Sequence, residues 1–136
     1  MKKACVISLV IVTMMVFGFG NLRAAEELSL LTWKGYAPQS LVDKFQQETG
    51  ITVKVTFSNN EEMIDKLRAT SGSGFDLAQP SQDRIASVQE KYQIYQAIDM
   101  SKVETGQIIE PMLEAVKENT MVGGQPHAVP FCWGTS

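Results

Sequence analysis

Groups that enzymes depend on are scarce in this chain. Its 136 residues hold one histidine, His127, and two cysteines, Cys5 and Cys132. A zinc site needs three or four ligands, so one imidazole and one thiol do not make one. In an extended segment His127 and Cys132 point to opposite faces, because side chains alternate with a period of two. A Cys132/His127 enzyme therefore requires a bend or bulge at Pro130, and it stands as the alternative reading of another class. No serine nucleophile elbow, paired-carboxylate motif or internal repeat occurs. The sequence thus assigns no catalytic residue, no metal ligand and no cofactor. Positive charge is also short, with 12 Lys plus Arg against 15 Asp plus Glu and a net charge of −3. That balance gives no bulk attraction to polyanions and argues against nucleic acid as a partner.

What the chain does have begins with a long apolar run. Lys2 and Lys3 precede an almost wholly apolar stretch over residues 4–19, which ends in small and polar residues up to Ala25. This is the plan of a secretory signal peptide, predicted here over residues 1–25 with cleavage after Ala24 or Ala25. An uncleaved anchor is the alternative, since the run is long for a signal. No cysteine follows it in the arrangement a lipid anchor requires. Loss of Lys2, Lys3 and Arg23 leaves 9 basic against 15 acidic residues, a net of −6. Cys132 then stands alone, which excludes an internal disulfide framework in an exported protein.

The remainder alternates strands with helices. Residues 28–33 form an apolar run without clean alternation, as expected of a central parallel strand covered on both faces. Gly35 allows a bend, Pro38 suits a first helical position, and Leu41, Val42 and Phe45 form a stripe before Gly50 caps the helix. Residues 51–57 alternate apolar with polar and are rich in β-branched residues, the pattern of a half-buried strand. Asn59 and Glu62 resemble a capping box, opening a helix with Met63, Ile64 and Leu67 inward. Ser71-Gly72-Ser73-Gly74 follows. A phosphate loop must lie between a strand and a helix, in that order; here the order is reversed, so the stretch reads as a flexible linker.

Residues 75–79 give a short strand, and Pro80-Ser81 leads into a helix carrying Ile85 and Val88, with Ser81 as its expected cap. Residues 92–99 read as a crossing connection. Pro111 opens a further helix with Met112, Leu113 and Val116 inward, ending near Asn119. Gly123 to Pro126 is a turn, and residues 127–134 read as an edge strand because of Pro130. Polar and aromatic residues thus collect at two strand-to-helix turns: Trp33, Lys34 and Tyr36 at the first, Ser81 and Asp83 at the second. In open α/β sheets such strand ends are where ligands gather.

In order and spacing these pieces resemble the extracellular solute-binding proteins of the spermidine/putrescine-binding type, receptors of ABC importers. The matching residues are Trp33 and Tyr36, Pro38 with Leu41 and Phe45, Glu48-Thr49-Gly50-Ile51 with Val53, and Asn60 with Met63 and Lys66-Leu67. They continue through Phe75-Asp76-Leu77 with Pro80-Ser81, Ile98-Asp99 with Ser101-Lys102, and Val129-Pro130-Phe131 with Trp133-Gly134.

The resemblance implies an α/β, periplasmic-binding-protein-like (type II) N-terminal lobe, a mostly parallel sheet flanked by helices, with the second lobe missing. It implies a periplasmic location, a small amine such as spermidine or putrescine as solute, a membrane permease as partner, and a monomer rather than an enzyme. It divides the chain into a signal peptide (1–25), a first lobe (26–129) and the start of a hinge crossing (130–136). Trp33, Lys34, Tyr36, Ser81 and Asp83 are the implied ligand wall. The polyamine type usually has a small polar residue at the position of Lys34 and an aromatic at that of Asp83, so a zwitterionic or anionic solute remains the alternative. The resemblance also makes the chain an expected fragment of a longer receptor.

Overall fold

The computed structural model describes residues 26–132. The predicted signal peptide, and Trp133 and Gly134 of the expected last strand, lie outside the described residues. The elements are β1 (Glu27–Thr32), α1 (Gln39–Thr49), β2 (Thr52–Phe57), α2 (Asn60–Ala69), β3 (Leu77–Ala78), α3 (Gln82–Tyr92), α4 (Glu110–Thr120), β4 (Met121–Val122) and β5 (Gln125–Pro126). A 3-10 turn at Met100–Lys102 lies between α3 and α4. Among the described residues no helix is long and apolar enough to cross a membrane.

A parallel three-stranded sheet in the order β2-β1-β3 carries the fold, as the β-α-β alternation predicts. β1 is central and pairs Leu30 with Val55 on one side and with Leu77 on the other. Its position explains why the run lacks alternation: Leu31 and Thr32 are fully buried. α2 supplies Met63 and Leu67 to the cluster around Leu31, and Trp33, Phe75, Ala78, Ile94 and Tyr95 pack against it. α3 and α4 pack on each other and bury Ile85, Val88, Leu113 and Val116, while β4 and β5 form a hairpin beside them. The Tyr95 hydroxyl is buried without a hydrogen-bond partner, and desolvation pushes its pKa to about 12.

Several local expectations change. Pro38 is the N-cap of α1 rather than its first helical residue, with extended backbone at φ −61 and ψ 139. The stripe on α1 is not covered: Leu41 is 61% and Phe45 38% exposed, and no residue of that helix is buried. Asn59 does cap α2, accepting from the Glu62 amide at 3.0 Å, but the Glu62 carboxylate turns to the Ser58 hydroxyl at 2.9 Å. This half of the capping box is therefore replaced by a side-chain contact.

Ser71-Gly72-Ser73-Gly74 is a tight turn rather than a loose linker, with positive φ at Ser71, Gly72 and Gly74. A Cβ at Gly72 would lie 3.0 Å from the Ile94 carbonyl oxygen, so the glycine lets the 93–95 segment close onto the end of α2. No strand forms over residues 127–132. The short pairing falls earlier, at Gln125–Pro126 with Met121–Val122 across the Gly123-Gly124 turn, and past it only the His127 amide still bonds across, to the Thr120 carbonyl at 3.2 Å.

Candidate ligand site at the strand ends

The first turn is fixed by backbone geometry. The Tyr36 amide donates to the Trp33 carbonyl at 3.1 Å, closing a four-residue turn. Gly35 stands at its third position with φ +93, the sign that a type II turn needs there. Nothing lies within 4 Å of a Cβ placed on Gly35, so conformation and not space calls for glycine. The result sets Trp33 on the core side while Lys34 and Tyr36 stay exposed.

Trp33 is held on two sides. Its half-buried ring packs against the Leu31–Met63–Leu67 cluster, and its Nε1–H donates to the Gln79 main-chain carbonyl at 2.9 Å. Gln79 is tied in turn to β1: its amide donates to the Leu31 carbonyl at 3.0 Å, and its side-chain Oε1 accepts from the Thr32 hydroxyl. Gln79 therefore locks the end of β3 to the end of β1, and it fixes the plane of the indole. A glutamine after a short strand carries no local signal, so nothing in the sequence marks this role.

The second turn is built against α2. The Ser81 amide donates to Asn60 Oδ1 at 3.0 Å, which anchors the entry to α3 on the first residue of α2. Ser81 occupies the N-cap position, but its hydroxyl makes no capping hydrogen bond. Plain capping, the expected role, is thus not what this side chain does. The exposed hydroxyl remains free to donate or accept at the strand end. Asp83 is turned to its neighbour: Arg84 Nε lies 3.5 Å from Asp83 Oδ2, and the same guanidinium bonds Glu61 at 2.9 Å. All three side chains are largely exposed, so the arrangement matches charge locally and adds little stability. Lys34 has no ion pair among the described residues.

A third segment meets Tyr36. The Phe131 ring lies 5.9 Å from the Tyr36 ring, centroid to centroid, tilted at 49°. Cys132 stands beside the Tyr36 hydroxyl, and the hydrogen bond to this sulfur raises the phenol pKa above its ordinary value. Of the implied wall, the fold thus gathers Trp33, Lys34 and Tyr36 on one turn and Ser81 and Asp83 on another, with Gln79 linking the two. Cys132 contacts Tyr36, whereas His127 Nδ1 is buried with no hydrogen-bond partner. A Cys–His couple through that nitrogen is not formed. No group of three or more potential metal ligands occurs among the described residues.

No family model matches the sequence. The putrescine-binding periplasmic protein SpuD of Pseudomonas aeruginosa is 30% identical over 118 residues, covering 85% of this chain and 32% of that relative. The crystal structure of the spermidine/putrescine ABC transporter substrate-binding protein PotD of Streptococcus pneumoniae superposes with a TM-score of 0.51 at 32% identity. That match covers 58% of this chain and 24% of PotD. A Listeria monocytogenes protein described as a spermidine/putrescine ABC transporter gives a TM-score of 0.56 at 31% identity, over 65% of this chain and 27% of its own. The chain is thus similar in sequence and in α/β fold to polyamine-binding periplasmic proteins, which are transport receptors. It spans about a third of the length of the curated relatives it matches, 32% in the case of SpuD.

Proposed function

We propose that this relationship is one of function, and that the chain supplies one wall of the solute site in a periplasmic receptor of an ABC importer, capturing a small organic amine. The observation that carries the reading is the Trp33–Tyr36 turn at the end of the central strand, with the indole oriented by its bond to Gln79. Aromatic faces attract ammonium groups, and a fixed ring does so without a further ordering cost. The free Ser81 hydroxyl adds a hydrogen-bonding group at the neighbouring strand end. On this reading residues 1–25 are a cleaved signal peptide, residues 26–129 form a lobe, and residues 130–136 begin a crossing. The receptor to which the chain contributes this wall acts as a monomer that delivers solute to a membrane permease. It is a carrier of solute and not an enzyme.

A second reading has its own observation. Lys34 is exposed between the two aromatics, and Asp83 is already faced by Arg84. Both features favour a solute that also carries a carboxylate or another anionic group. Calorimetric titration of the purified chain with putrescine, spermidine, a zwitterionic amino acid and a dicarboxylate separates the two. Heat from the diamines, reduced in Trp33→Ala, is the expected outcome. Heat from the amino acid or the dicarboxylate alone selects the second reading, and no heat from any of the four defeats both.

A further inference from the structure

The segment that follows the β4–β5 hairpin meets the site at one point. Phe131 is 63% and Tyr36 46% exposed, so neither ring is consumed by the core. Their centroids are 5.9 Å apart and their planes meet at 49°, a tilted pair rather than a stack. An ammonium group interacts with an aromatic face from within about 6 Å of its centroid. Two rings this close, set at this angle, leave positions within that range of both. Cys132, the next residue of the segment, is free and exposed beside this pair.

We propose that Phe131 is a ligand-contacting residue, and that with Tyr36 it forms an aromatic corner which holds one ammonium group of an organic amine. The inference rests on the amine-receptor reading above and extends it: the wall is built from three segments, and the third is the run ending in Phe131 and Cys132. The corner selects for charge. A neutral chain of the same length, such as 1,4-butanediol, gains no attraction from the ring faces. Because Cys132 flanks the corner, an amine seated there also shields the thiol.

The test uses the chain without the predicted signal peptide, in which Cys132 is the single thiol, and putrescine as the probe. Phe131→Leu is expected to weaken putrescine binding about fivefold by calorimetry, within the range of an exposed cation–π contact, and Phe131→Tyr to stay within about twofold. Urea unfolding midpoints of both variants should match the parent, since the ring is exposed and surface changes cost little. Saturating putrescine should slow alkylation of Cys132 by iodoacetamide about threefold or more, and 1,4-butanediol should not. If the parent binds putrescine and Phe131→Leu binds it equally well, the corner is refuted while the receptor reading stands. If the parent itself gives no heat, both are refuted.

Discussion

Replacing Trp33 by Phe separates what the indole does for the fold from what its face offers a ligand. The substitution keeps an aromatic ring but removes the donor that meets the Gln79 carbonyl at 2.9 Å. A hydrogen bond of this kind contributes roughly 0.5–1.5 kcal/mol net. The smaller ring also forfeits roughly 40 Å² of apolar surface, about 1 kcal/mol at full burial. Trp33 is only half-buried, so about half of that applies. Together the loss is about 1.5 kcal/mol. With a urea dependence of about 1.5 kcal/mol per molar, the unfolding midpoint followed by circular dichroism should fall by about 1 M without a change in slope. Trp33→Ala, which also gives up the packing against the Leu31–Met63–Leu67 cluster, should fall further. A Phe variant whose midpoint lies within about 0.2 M of the parent would mean that the bond to Gln79 does not hold the strand ends, and the account of the site's rigidity would be wrong.

Two further outcomes follow from the geometry. Ser81→Ala should leave the unfolding free energy unchanged within about 0.5 kcal/mol, because its hydroxyl caps nothing, yet weaken solute binding; a loss near the ~1 kcal/mol typical of a helix cap would show that it caps after all. Glu62 has its pKa lowered, first by the Ser58 hydroxyl and then by the charge of Lys66. A depressed carboxylate stabilises the fold above its unfolded pKa and loses that contribution as pH falls through the folded value. The melting temperature of the parent should therefore drop on acidification below the ordinary glutamate value of 4.5, and Glu62→Gln should show a flatter profile across that window; identical profiles would contradict the assignment.

Much of the fold was legible because the hydrophobic period tracks each element. The central strand shows in the unalternating run that ends in Leu31 and Thr32, both fully buried, and the inner stripe of α2 shows as Met63, Ile64 and Leu67. Where the reading failed, contacts between distant residues decide. Gly72 looked like a linker because its neighbours are small and polar, but Ile94 closes over it. Leu41 and Phe45 have helical spacing that predicts burial, and spacing cannot say whether a partner surface is there. Residues 127–132 have strand composition, but beyond the His127 amide, which donates to the Thr120 carbonyl at 3.2 Å, they form no ladder. The two site turns were legible as positions. The Gln79 link between them, 46 residues from Trp33, was not.

That link bears on the order in which the wall comes together. β1 meets β2 through Leu30 and Val55, but it reaches β3 only across the 47 residues from Leu30 to Leu77. Closing the longer loop costs only about 0.6 kcal/mol more, since the penalty grows with the logarithm of length. Length therefore does not set the sequence of events. The number of bonds gained does, because β2 pairs along six residues and β3 along two. The β3 arm, which carries Gln79 and then Ser81, gains little until the Trp33 indole and the Thr32 hydroxyl are already in position to receive it. The first turn thus stands on the long β1–β2 pairing, whereas the second is attached to it only through the two-residue β3 pairing and Gln79.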